Sequence, residues 1–233
     1  MGKVRKTWSA SDWESHLARS AKETSNRKAF LSRILTLAES KDVCEVGVWR
    51  GELSAYLLEH CPDIHNYTMV DPWRSLDNWN KPLNKSKSVF DEAYRMALAA
   101  TDFAKEKRRI LRSETLSAIA DIPDNSLDVA YIDGDHTLRG ILIDLIKMYP
   151  KVRSGGIIIG DDFSQNAFVH GGNFEPTLVF PTAVYFAEAM DNPIYCLPYT
   201  QFAILKQEKS PFLFNTNLAP SKPATVLDVL KNT

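Results

Sequence analysis

Two acidic pairs follow two apolar runs. Asp133-Gly134-Asp135-His136 comes after Leu127-Asp128-Val129-Ala130-Tyr131-Ile132, and Asp161-Asp162 comes after Ile157-Ile158-Ile159-Gly160. Four carboxylates and an imidazole gathered at neighbouring strand tips would repel and shift one another's pKa unless positive charge joined them. A hard divalent cation such as Mg²⁺ or Ca²⁺ prefers carboxylate oxygens and meets that need. A single Asp-Gly or Asp-Asp would read as a turn or helix cap, whereas two on adjacent strands favour a metal site. A coordinated hydroxyl loses its proton more readily, and a nearby carboxylate or imidazole can take it.

A second group lies upstream. Glu45-Val46-Gly47-Val48-Trp49-Arg50-Gly51 closes an apolar run and opens a helix. Its glycines permit a tight turn and close ligand approach, and the helix offers unpaired N–H groups to a carboxylate. It lacks the third glycine of the dinucleotide fingerprint, which weighs against an NAD enzyme. Asp71 ends the next apolar run, where a carboxylate accepts both hydroxyls of a ribose. Near this edge Arg50 pairs either with a ligand carboxylate or with Glu52. Trp73 either stacks on a ring or packs. His170, beside Gly171-Gly172, is a loop residue or a substrate contact.

The elements that must position these residues alternate. Residues 9–39 read as helical, with Ser11 as a cap and Glu14 as its capping-box partner. Strands are expected at 43–48, 67–71, 109–112, 127–133 and 157–160. Helices are expected from Gly51, over 88–106, over 114–120, over 138–149 and over 182–190. Ser75 to Ser88 reads as a mobile loop, and Ser154-Gly155-Gly156 as a turn. Two last strands, near 194–198 and 201–206, are too close for a crossover helix and form an antiparallel hairpin. The expected fold is therefore α/β: a Rossmann-like, doubly wound, seven-stranded, mostly parallel sheet with helices on both faces. Residues 1–40 form an N-terminal helical extension or lid, 41–208 the core, and 209–233 a C-terminal arm. Ligands of such sheets bind at the carboxyl ends of the strands.

Composition sets the outer bounds. The chain has 233 residues, 28 Lys plus Arg against 29 Asp plus Glu, and 44% hydrophobic residues. That is globular composition, with no net charge for a broad nucleic-acid face. Three cysteines, with no CxxC, read as free core thiols in a reducing compartment. No secretory h-region and no run of the roughly 18–20 apolar residues that span a bilayer is present. A cytoplasmic protein without membrane or nucleic-acid partners is expected. Residues 1–40 and the tail after Ser210 are candidate contacts in a homo-oligomer.

EVGVWRG, VDPW, YIDGDH and GGIIIGDDF together resemble class I S-adenosylmethionine-dependent methyltransferases over residues 40–206. More narrowly, they resemble the metal-dependent small-molecule O-methyltransferases of the macrocin and novobiocin-sugar type. The resemblance implies that Glu45, Gly47 and Gly51 shape the loop around the methionine part of the cofactor, and that Asp71 binds the ribose. It places Ser113 and Glu114 beside the adenine, and gives Asp133, Asp161 and Asp162 as Mg²⁺ ligands. Asp135 is the implied base, with His136 an adjacent candidate. The acceptor expected is a small molecule, a sugar or other polyol or catechol whose vicinal hydroxyls can chelate an ion. The alternatives are a metal-independent small-molecule methyltransferase and a non-catalytic cofactor-binding protein.

Overall fold

Short runs of apolar residues bounded by polar turns become strands buried on both faces. In β1 (Asp42–Val46) and β4 (Leu127–Ile132) every residue is buried. The computed structural model describes residues 6–77, 79–208 and 210–219. Around the central pair lie β2 (Asn66–Val70), β3 (Arg108–Leu111), β5 (Val152–Gly160), β6 (Pro193–Leu197), β7 (Gln201–Leu205) and β8 (Leu213–Asn215). The sheet order is β3-β2-β1-β4-β5-β7-β6-β8. The first five strands run parallel, β7 is antiparallel to β5 and β6, and β8 is parallel to β6. The chain winds outward from β1 through β2 to β3, then returns to place β4 on the other side of β1. That reversal opens a crevice beyond the carboxyl ends of β1 and β4.

Helices cover both faces. On one side α1 (Ala10–Glu23), α2 (Arg27–Leu37), α3 (Glu52–His60) and α4 (Lys87–Ala100) flank the sheet; on the other lie α5 (Thr115–Ala118), α6 (Leu138–Met148) and α7 (Val179–Ala189). Trp13, Leu17, Phe30 and Ile34 of the first two helices share one buried cluster with Val43, Met69, Tyr131 and Tyr195 of the sheet. The Trp13 indole N–H also donates to the Gly155 carbonyl at 2.9 Å. The three cysteines are buried and free. Among the described residues no helix is long and apolar enough to cross a membrane.

Four local expectations need correction. The helix over 9–39 is two helices, because Thr24-Ser25-Asn26 is polar and Asn26 caps a new start, accepting from the Ala29 N–H at 3.0 Å. The first cap is Ser9 with Asp12, not Ser11 with Glu14. The Ser154-Gly155-Gly156 turn lies within β5, where the register against β4 shifts between Leu127 and Val129. Finally, Leu213–Asn215 adds an eighth strand inside the segment expected as an arm; residues 220–233 of that arm lie outside the described residues.

Candidate active site

The first loop is held by carboxylates placed where the sequence puts them. Gly47 adopts φ +87°, and a Cβ there would collide with the Asp133 carbonyl, so the β1 loop can pass against the β4 loop only as glycine. Asp71 ends β2 and is buried. Its Oδ2 accepts from the Val48 and Trp49 N–H groups, each at 2.9 Å, and its Oδ1 from the Trp73 N–H at 2.7 Å. Burial raises its pKa despite these bonds. A carboxylate has about four lone-pair positions, so three backbone bonds leave room for a hydroxyl. Glu45 is also buried. It accepts from the Ser54 hydroxyl and, at 2.7 Å, from the Tyr67 hydroxyl, and burial lifts its pKa to about 7.

Beyond these loops lies a cleft of about 900 Å³. Glu45, Gly47, Asp71, Ser113 and Glu114 all line it, as do Asp133 and Asp135, whereas Gly51, at φ +74°, turns against Ala97 of α4. Glu114 is paired with Arg74. Trp73 is fully buried, packs on Tyr94, and donates its indole N–H to the Trp49 carbonyl at 2.7 Å, so packing is its role. Arg50 lies over the Trp49 ring, while Glu52 pairs with Lys28.

The acidic pairs at β4 and β5 are interleaved with protein cations. Arg27, the first residue of α2, bridges Asp161 and Asp133, the latter at 3.4 Å. Gln201 donates its amide N–H to Asp161 and accepts from the Tyr131 hydroxyl at 3.0 Å. Burial, with Asp133 adding to it, raises the Asp161 pKa to about 6. Asp162, at φ +54°, turns away to His136 Nδ1 at 2.7 Å and His170 Nε2 at 3.2 Å. Burial opposes charge on His136, but Asp133 and Asp162 outweigh it and raise its pKa to about 10. The three aspartates expected to share one ion are thus split between Arg27 and the two imidazoles. Among the described residues, the group of His, Cys, Asp and Glu ligand atoms lying within 4.8 Å of one another is His136, Asp162 and His170.

Asp135 points elsewhere. Its carboxylate accepts from the Trp79 indole N–H at 2.8 Å, and from the Thr137 N–H and hydroxyl at 3.0 Å each. Trp79 belongs to the segment expected to be a mobile loop, which is instead tied down. Lys81 there is buried and donates to the carbonyls of Glu175 and Pro176 at 2.8 and 3.0 Å. Arg27, Gln201, Trp79 and Lys81 are the site-shaping residues that sequence reasoning missed. They come from segments distant from the strand tips, and the one signal available was a tryptophan, a proline and three lysines in an otherwise polar loop.

Comparison with known proteins now bears on this arrangement. A family described as a methyltransferase domain matches residues 44–163, from within β1 to just beyond the β5 acidic pair. The chain belongs to this family. It is a class I, S-adenosylmethionine-dependent methyltransferase. The methyltransferase matches no curated protein sequence significantly. Among solved structures it is similar to a candidate caffeoyl-CoA O-methyltransferase from Staphylococcus aureus, at 15% identity over 84% of this chain and 91% of that one, with a TM-score of 0.58. It is also similar to an O-methyltransferase from Bacillus cereus in complex with SAH, at 14% identity over 85% and 92% with a TM-score of 0.54. An SAH-bound methyltransferase from Podospora anserina matches at 10% identity over 88% and 92%, with a TM-score of 0.55. At these identities the likeness establishes the fold.

Proposed function

We propose that this methyltransferase transfers a methyl group to a hydroxyl of a sugar, or of a similar small polyol or catechol. The observation that carries the reading is one cleft lined both by five of the six residues expected at the cofactor and by Asp133 and Asp135. Neighbours described as an O-methyltransferase in complex with SAH and as an SAH-bound methyltransferase support the choice of cofactor, and the first supports oxygen as acceptor. The donor supplies an electrophilic methyl on a sulfonium, and the carboxylates of Asp71 and Asp133 at the cleft favour a cation there.

In the transfer the acceptor oxygen bonds to the methyl carbon, the carbon–sulfur bond breaks with its electrons staying on sulfur, and the hydroxyl proton must leave. Asp135 is the residue proposed to take it. His136, with a pKa near 10, keeps its own proton at neutral pH and is the poorer base in this arrangement. Holding oxygen and methyl carbon in line supplies much of the remaining rate.

The proposal includes a divalent cation at the same edge, which would act as a Lewis acid on the acceptor. Asp133, Asp161 and Asp162 offer the oxygen ligands Mg²⁺ prefers. In that version Arg27 must release Asp133 and Asp161, since it now holds the positive charge there. A metal-independent reaction is the second reading, favoured by this same guanidinium.

Labelled donor, the full chain and a panel of vicinal diols test the reading, with and without EDTA. Methylation of a diol, lost with Asp135→Asn by roughly 10²- to 10⁴-fold while SAH still binds, is expected. SAH binding with no acceptor methylated would overturn oxygen transfer, and full activity in EDTA would select the metal-independent version.

A further inference from the structure

Asp162 faces two imidazoles, a donor set that three aspartates alone would not have produced. We infer that His136, Asp162 and His170 form a seat for a first-row transition dication of the Fe²⁺, Co²⁺, Ni²⁺ or Zn²⁺ class, in place of Mg²⁺. The inference rests on the reading above only in setting the ion beside the methyl-transfer cleft.

Three features carry it. One ring nitrogen of His136, one of His170 and a carboxylate oxygen of Asp162 lie within 4.8 Å of one another, from the segment after β4, the loop beyond β5 and the end of β5; His136 Nδ1 and His170 Nε2 stand 2.7 and 3.2 Å from Asp162. Each imidazole also has a second contact on its far nitrogen. His170 Nδ1 lies 3.2 Å from the hydroxyl of the buried Thr177, which the Lys81 ammonium also approaches at 3.4 Å. His136 Nε2 lies 3.4 Å from Asp133, and it is a buried nitrogen without hydrogen-bond geometry to any partner. The Thr177 contact gives His170 the outer partner that metal-ligating histidines nearly always have, which fixes the ring and raises its basicity. Finally, the rings are nearly parallel, 21° apart with centroids at 6.3 Å, and each turns one nitrogen toward Asp162.

Donor chemistry chooses the ion. Imidazole nitrogen suits Zn, Fe, Ni and Cu, and two histidines with one carboxylate leave coordination positions open for other ligands. Mg²⁺ prefers oxygen and keeps its water shell. A vicinal diol could occupy two of the open positions, which would place a hydroxyl of the acceptor beside the cleft.

The test uses the whole chain stripped of metal, titrated separately with Co²⁺, Zn²⁺ and Mg²⁺ and followed by calorimetry and by the visible absorption of Co²⁺. One equivalent of Co²⁺ with ligand-field bands of nitrogen coordination is expected, with Mg²⁺ binding far more weakly. His170→Ala, which removes a ligand, should weaken Co²⁺ by at least about 100-fold, and Thr177→Val, which removes the hydroxyl against the far nitrogen of His170, by about 10-fold. SAH affinity should stay within about threefold in both, which also reports that they fold. Mg²⁺ binding as tightly as Co²⁺, or an unchanged Co²⁺ affinity in His170→Ala, overturns the inference. Co²⁺ binding with no SAH binding in the wild-type protein would instead overturn the cofactor reading and leave this site standing.

Discussion

At the scale of single residues, burial has made two carboxyls reluctant to ionise. Glu45 and Asp144 both have pKa values pushed to about 7, chiefly by burial. Each is raised above its unfolded value, so the stability it lends is fully present below that unfolded value and is lost as pH rises through about 7. For Glu45 the shift from 4.5 to about 7 corresponds to roughly 3 kcal/mol. Glu45→Gln keeps an oxygen to accept from Ser54 and Tyr67 and removes the titration. Denaturant unfolding at several pH values should show the fall in stability between pH 5 and 8 cut by about half, with Asp144→Asn removing most of the rest. An undiminished slope in the double variant would mean that neither group is neutral in the folded protein.

At the scale of elements, the two N-terminal helices bear on what the sequence can and cannot disclose. The runs that became β1, β2, β4 and the centre of β5 were readable because short, mostly apolar stretches stand between polar turns. The acidic residues at their ends follow from that alone. Three elements were not readable in the same way. The break between α1 and α2 depends on Asn26 capping a second helix within an otherwise continuous helical pattern. β8 is three residues long in a Pro- and Asn-rich segment, and it forms because the edge of β6 is there to pair with. Arg27 reaches Asp133 and Asp161 across 106 and 134 residues of chain, a proximity no local pattern encodes. A lid was one expectation for residues 1–40, yet α1 places Trp13 at 1% exposure in the main cluster. Trp13→Ala should therefore destabilise the whole protein by about 3–5 kcal/mol. A loss under about 1 kcal/mol by thermal or denaturant unfolding would show that α1 docks without contributing to the core, as a lid would.

At the scale of the molecule, a chain of near-zero net charge concentrates carboxylates where its sheet reverses direction. The same loops that bring those carboxylates together hold the cleft open, so ligand affinity and stability are linked through Asp71. Its three backbone bonds tie the loop after β1 to the turn after β2. In Asp71→Asn one amide N–H must face a backbone N–H, and a buried donor loses its acceptor at a cost of about 1–3 kcal/mol. A ligand present at 100 times its Kd stabilises the folded state by about 2.7 kcal/mol, which for a chain of this size raises Tm by roughly 5–10 °C. SAH should give that shift in the wild-type protein, and NAD none. Asp71→Asn should lower the Tm of the free protein and reduce the shift at the same SAH concentration to less than half, because loop order and ribose contact are lost together. An equal shift in the variant, once its lower baseline is subtracted, would separate the two roles. It would leave Asp71 as a clasp of the loops, with the ribose held by another group in the cleft.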